Sequence, residues 1–383
     1  MSKSPSVVRA RPQKHHAQLS GGVHPLSTFT HRSQKFQPLP SPLGEPPYQY
    51  SLDDHFKAVA DNARQNHKLV LHIVGDTGGI KDPEKQINVA REMKTDLNLP
   101  MADRPGFFYH LGDVVYFNGE KSEYYAQFYE PYDHYDAPIF SIPGNHDGDP
   151  ATPEQTSLDG WSEYFMTPTP VIDPLSQDAP RMTQSQPNPY FTLQTPYATF
   201  VGLYTNVPEG GSVDSVQQQW FTNEIATAPE DKALIVALHH PIYSFDDHHS
   251  GSARMADVLQ NAINDTRRVP NAVFTAHVHN YQRIHKKIGD ILVPFFVVGN
   301  GGYHHLHGLH SAAGQTAADD KAVTLEYGDD KKWGYLTLTI DKNGISGTAT
   351  AIDKDGKVTR DVDTFKNYTT AALKLPDGAT ASL

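Results

Sequence analysis

Seven side chains able to hold a metal ion through oxygen or nitrogen stand at comparable places in this sequence. Asp76, Asp113, Tyr116, Asn145, His239, His277 and His279 each follow closely on a short apolar run. They fall in five ordered motifs: Gly75-Asp76-Thr77-Gly78, Gly112-Asp113-Val114-Val115-Tyr116, Gly144-Asn145-His146-Asp147, His239-His240-Pro241 and His277-Val278-His279. Carboxylate, phenolate, amide and imidazole donors suit first-row metals. The 383 residues include no cysteine, which excludes thiolate metal sites, iron–sulfur clusters, disulfide frameworks and thiol nucleophiles. Taken singly, each residue has a plainer reading: an aspartate at a turn or helix N-cap, a packed tyrosine, a hydrogen-bonded histidine. Five such motifs in succession, all at the ends of apolar runs, point to one shared site.

The elements that must carry these residues are legible in outline. Runs rich in Val, Ile, Phe and Leu occupy residues 68–74, 106–111, 137–142, 198–204, 233–238, 271–276 and 293–298. They are unbroken rather than alternating, which predicts strands buried on both faces. Residues 85–97, 215–228 and 253–265 have helical texture, and strands alternating with helices imply an α/β layered domain. Residues 334–359 alternate apolar and polar side chains around Lys342-Asn343-Gly344 and Lys354-Asp355-Gly356, which predicts antiparallel hairpins and hence a mixed sheet system. In open α/β sheets, ligands bind in the crevice beyond the carboxyl ends of the strands, so residues far apart in sequence can meet there.

Residues 1–50 are rich in Ser, Pro, His, Lys and Arg and read as a basic, irregular arm; residues 51–383 read as one domain without internal repeats. The Pro-rich stretch 167–189 reads as a long surface loop. A net charge of −12 argues against nucleic-acid binding by bulk charge. No apolar run approaches the roughly 20 residues of a membrane span, and the N-terminus lacks the apolar segment of a secretory signal. The expectation is a soluble protein, cytoplasmic by default, with export by another route left open.

The ordered series Asp-x-Gly, Gly-Asp-x-x-Tyr, Gly-Asn-His-Asp, Val-x-x-His and His-x-His resembles the metallophosphoesterase superfamily of calcineurin-like proteins, and within it the purple acid phosphatases. Most metallophosphoesterases carry a ligand histidine two residues after the first aspartate. This chain has Gly78 there and offers Tyr116 three residues after Asp113, which is the purple acid phosphatase exchange. The likeness spans residues 68–303. Ala276 replaces the family's usual glycine, Gln282 its usual glutamate, and Asp147 stands where plant members commonly have glutamate. The arm has no room for the N-terminal fibronectin-like domain of plant forms, so the chain is similar to the short, single-domain form.

The resemblance implies an α/β/β/α sandwich of two mixed sheets flanked by helices. It implies that Asp76, Tyr116 and His279 hold one metal, that Asn145, His239 and His277 hold another, and that Asp113 bridges them. Asp76, Asp113 and a Tyr116 phenolate concentrate negative charge at the first site, which favours Fe(III); two imidazoles, an amide and the shared carboxylate suit a divalent Fe, Zn or Mn ion at the second. The reaction expected is hydrolysis of small-molecule phosphate monoesters by metal-bound hydroxide, with an acidic optimum. His146, beside Asn145, and His248 and His249, nine and ten residues after His239, are the expected catalytic or substrate-facing histidines. A diesterase or pyrophosphohydrolase acting on nucleotides, and a non-catalytic phosphate-binding relative, remain open. Residues 299–303 read either as a plain turn or as a tight turn at the rim of the crevice with Tyr303 shaping its entrance; the histidine cluster of residues 303–310 is not needed to supply the two metals.

Overall fold

Where a strand is covered on both faces, every position along it favours an apolar side chain, and the runs singled out above behave in this way. In the computed structural model, which describes residues 35–383, strands β2 (Leu69–Val74), β3 (Phe108–His110) and β4 (Ile139–Ser141) are buried throughout, as are β6 (Ala198–Gly202), β7 (Ala233–Ala237) and β9 (Ala272–Thr275). The seventh run lies in β11 (Ile291–Val298).

Two large mixed sheets result. One has eight strands in the order β1-β5-β6-β7-β9-β11-β10-β12, with β1 at Gln49–Ser51, β5 at Phe191–Gln194, β10 at Tyr281–Ile288 and β12 at Val323–Asp329. The other has six, β15-β14-β13-β2-β3-β4, with β13 at Trp333–Asp341, β14 at Gly344–Ile352 and β15 at Val358–Tyr368. Strands β2, β3 and β4 pair in parallel, as do β6, β7, β9 and β11. Their carboxyl ends therefore lie side by side within each sheet. The tail forms the expected hairpins, β13 with β14 and β14 with β15, and β13 docks antiparallel on β2. Apolar faces of the two sheets meet across the core, where Tyr109 stacks on Phe200 at 5.4 Å.

The expected helices form at Glu84–Asp96, Ser215–Thr227 and Ala253–Thr266. The last shows why: Met255, Val258, Leu259, Ala262 and Ile263 make one buried stripe at helical spacing, and the Ser252 hydroxyl caps its start by accepting from Met255 N. Asp214 caps the helix before it through Gln217 N. Residues 35–50, assigned to the arm by composition, run along the body: Gln37 exchanges two hydrogen bonds with Asn206, Trp220 donates to Pro47 O, and Gln49 opens β1. The rest of the expected arm, residues 1–34, lies outside the described residues. Residues 167–189 form a loop that folds back on itself through bridges Met166–Ser185 and Ile172–Met182. Among the described residues, no helix is long and apolar enough to cross a membrane.

Candidate metal centre

Each of the five motifs sits just past the carboxyl end of a parallel strand. Asp76 follows β2, Asp113 and Tyr116 follow β3, and Asn145 follows β4, all from the six-stranded sheet; His239 follows β7, and His277 and His279 follow β9, from the eight-stranded sheet. The chain reverses sharply at these points. Asp76, Asp113 and His277 have φ of 55°, 55° and 66°, a left-handed backbone that costs non-glycine residues about 1–3 kcal/mol and clusters at functional sites. The reversals are knitted together, Asp76 N donating to Gly112 O and Thr77 N to Asp113 O. The Asp147 carboxylate accepts from Val114 N, Val115 N and Gly144 N, which ties the second motif to the third. Gly144 is required there, because a Cβ would stand 2.1 Å from Asp113 Oδ1.

The side chains converge in two groups. The Tyr116 hydroxyl donates to Asp76 Oδ1 at 3.0 Å and lies 3.2 Å from His279 Nε2. Asn145 Oδ1 lies 3.1 Å from His239 Nε2 and 2.9 Å from His277 Nδ1. Asp113 stands between the groups: its Oδ2 is 3.4 Å from His239 Nε2, and carboxylate oxygens of Asp76 and Asp113 lie within 4.8 Å of a His239 ring nitrogen and of each other. Gly78 makes the first group possible, since a Cβ there would meet Tyr116 Cδ2 at 2.7 Å. Gln127 fixes the Tyr116 backbone from both sides, accepting from its N–H and donating to its carbonyl.

These groups suit cations. Asp76 Oδ2 and Asp113 Oδ2 are buried and accept no hydrogen bond, an arrangement that is costly unless a positive charge faces them. His239 Nδ1–H donates to Leu111 O and His279 Nδ1–H to His305 O, which turns each Nε2 toward the centre. Protonation follows the same logic. Burial pushes the Tyr116 hydroxyl well above its ordinary 10, aided by the charges of Asp76 and Asp113. Asp76 is raised, by burial and then by the Asp113 charge, whereas Asp113 is held low despite burial because His239 and His146 face it. Burial opposes the charge on His239, but Asp113 pulls it up to about 9. Protons on Tyr116, Asp76 and His239 thus occupy the positions for which cations would compete. Burial brings His277 down to about 4 and holds His279 far below 6.5, the neutral form that a ligand needs.

The expected catalytic histidines divide. His146 is buried, donates from Nδ1 to Phe117 O, gives its backbone N–H to Asp113 Oδ1 and lies against Tyr116 at 4.7 Å. His249 packs 4.9 Å from His277, while His248 is half exposed at the rim, 4.9 Å from His307. Sequence reasoning missed Glu209, left His307 inside an unassigned histidine cluster, and offered Tyr303 only as a residue shaping the entrance. Glu209 Oε1 lies 3.1 Å from His249 Nδ1. His307, buried, packs at a tilt 4.6 Å from His279, and its backbone N–H donates to His279 O. Tyr303 is buried against Tyr116 and His279, at 4.5 and 4.2 Å, so it is a wall of the centre rather than its rim.

Comparison with known proteins accords with this geometry. The family model for calcineurin-like phosphoesterases matches residues 50–281, and the chain belongs to that family of metal-dependent phosphoesterases. Among solved structures, GAP50, the anchor in the inner membrane complex of Plasmodium, aligns over 81% of this chain and 90% of its own at 15% identity and a TM-score of 0.56. Purple acid phosphatase PPD1 from yellow lupin seeds aligns over 76% of this chain at 17% identity and a TM-score of 0.52. The match spans 53% of the lupin chain, about half its length. At these identities the likeness is one of fold. Comparison with curated proteins yields no match.

Proposed function

We propose that the protein is a dimetal phosphatase of the purple acid type that hydrolyses phosphate monoesters. One observation carries this reading: the Tyr116 hydroxyl meets Asp76 Oδ1 and His279 Nε2 over a glycine, Gly78, whose missing side chain makes room for the tyrosine ring. Asp76, Tyr116 and His279 would hold Fe(III), Asn145, His239 and His277 a divalent Fe, Zn or Mn ion, and Asp113 both. When bound, two such ions supply Lewis-acid polarisation of a phosphoryl oxygen and an acidified water.

The protein's own groups do the rest. Leu111 O and His305 O hold the His239 and His279 rings in the tautomer that presents Nε2. His146 braces Asp113 through its N–H and Tyr116 through its ring. His249 has its Nδ1–H taken up by Glu209, and we assign to its Nε2 the proton delivered to the departing alkoxide. His248, at the rim, suits contact with the outer part of the substrate.

Substituting Asn145→Ala is expected to lower kcat/KM on p-nitrophenyl phosphate by about 100-fold or more while the fold is retained. A metal-loaded parent that hydrolyses nothing would favour a non-catalytic relative, a reading to which GAP50, described as an anchor, lends its only support. Faster turnover of bis(p-nitrophenyl) phosphate than of the monoester would favour a diesterase.

A further inference from the structure

We propose that Glu209 is a positioning residue of this centre, bracing His277 and His249 with one carboxylate and so setting how firmly the second metal ion and the substrate phosphate are held. The inference rests on the dimetal reading above. A metal-ligating histidine almost always gives its other ring N–H to a carboxylate, carbonyl or water, which fixes the ring and raises its basicity. His239 and His279 have carbonyl partners for this purpose. His277 does not: its Nδ1 faces Asn145 Oδ1 at 2.9 Å, and its buried Nε2 makes no hydrogen bond. The acceptor facing that Nε2 is Glu209 Oε1, at 3.7 Å, and the same oxygen lies 3.1 Å from His249 Nδ1.

Charge and rigidity point the same way. Asn145, His239 and His277 are neutral donors, so the second site has only a share of Asp113 as negative charge. A carboxylate behind His277 adds to it without occupying a coordination position. Glu209 is carried by a stiff turn. Gly210 and Gly211 have φ of 73° and 77°, Gly211 N donates to Pro208 O at 2.8 Å, Ser252 Oγ donates to Gly210 O, and Arg254 Nη1 donates to Gly211 O at 3.0 Å. Beside the turn, a Cβ on Gly211 would come within 3.2 Å of His240 Nδ1, Met255 Sδ and Thr205 Cβ, so the turn packs tightly on its surroundings.

The test compares wild type, Glu209→Gln and Glu209→Asp as full chains loaded with iron and zinc. Titration with a competing chelator is expected to release the second ion from Glu209→Gln at about 10–100-fold lower chelator strength, with the first ion and its visible absorption unchanged. Glu209→Asp should fall between, and KM for p-nitrophenyl phosphate should rise in Glu209→Gln. Retention of the second ion within about twofold of wild type, or equal loss of both ions, would overturn the proposal while leaving the phosphatase reading intact. A wild type holding three ions where Glu209→Gln holds two would overturn it in favour of a third metal between Glu209, His249 and His277. Failure of the wild type to hold two ions would sink both readings.

Discussion

Tyr116 is surrounded by groups that favour its neutral form: it is fully buried, it donates to Asp76, and Asp113 stands nearby. Only a strong local cation would make it a phenolate. The expected outcome is a visible charge-transfer band in the iron-loaded, oxidised protein that disappears in Tyr116→Phe; an unchanged spectrum would refute the ligand assignment. The residues behind this prediction were legible in the sequence because a ligand needs a particular element, not a particular shape, and the motif spacing kept Gly78 and Tyr116 paired. Glu209 was not legible. It sits in Pro208-Glu209-Gly210-Gly211, which reads as an ordinary turn, and nothing in the local text shows that this turn folds over His277. His307 was hidden for another reason: among several neighbouring histidines, composition alone does not tell the one that packs against His279 from those facing solvent.

At the level of elements, β2 brings a histidine into the core. His72 is fully buried, with Nδ1 3.0 Å from the Tyr135 hydroxyl and Nε2 3.1 Å from Asp96 Oδ2. Burial pushes its pKa below 6.5, outweighing the pull of Asp96. Burial also opposes the charge on Asp96, but hydrogen bonds from His72, Tyr335 and Arg360 prevail and hold its carboxyl below the usual 3.8. The native state therefore contains a neutral His72 and an ionised Asp96, the latter paired with Arg360 at 2.7 Å. Because the unfolded chain takes up the His72 proton first, this group's contribution is complete above pH 6.5 and is lost as pH falls toward its lowered native value. The loss is up to about 1.4 kcal/mol per pH unit. Urea unfolding at a series of pH values should show a shallower decline below pH 6.5 in His72→Gln than in wild type, whatever the variant's absolute stability; parallel curves would contradict this. The strand itself was readable from its unbroken apolar run, and so were the helices at Glu84–Asp96 and Ala253–Thr266. Less visible were β1 and β5, whose pairing depends on contacts between residues 49–51 and 192–194, far apart in the chain. The Pro-rich text of residues 35–48 has no period that would show contact with the body, and that contact is made by backbone groups meeting Asn206 and Trp220 and by two isolated side chains, Leu39 and Tyr48, packed on the core.

For the whole molecule, the decisive feature is that the candidate ligands are shared between sheets. Asp76, Asp113, Tyr116 and Asn145 belong to the six-stranded layer, whereas His239, His277 and His279 belong to the eight-stranded one. Neither candidate site is complete within a single layer. Ions that bind only this assembled state stabilise it by mass action, about 2.7 kcal/mol at 100 times Kd. Treatment with a chelator should therefore lower Tm by several degrees in one cooperative transition, and iron plus zinc should restore it; a Tm insensitive to both would argue against ions at the interface. The division of ligands has a mechanical consequence as well. Each ion would act as a rivet through two plates, so a substitution deep between the layers, far from any phosphate, could abolish turnover merely by letting one plate slip against the other.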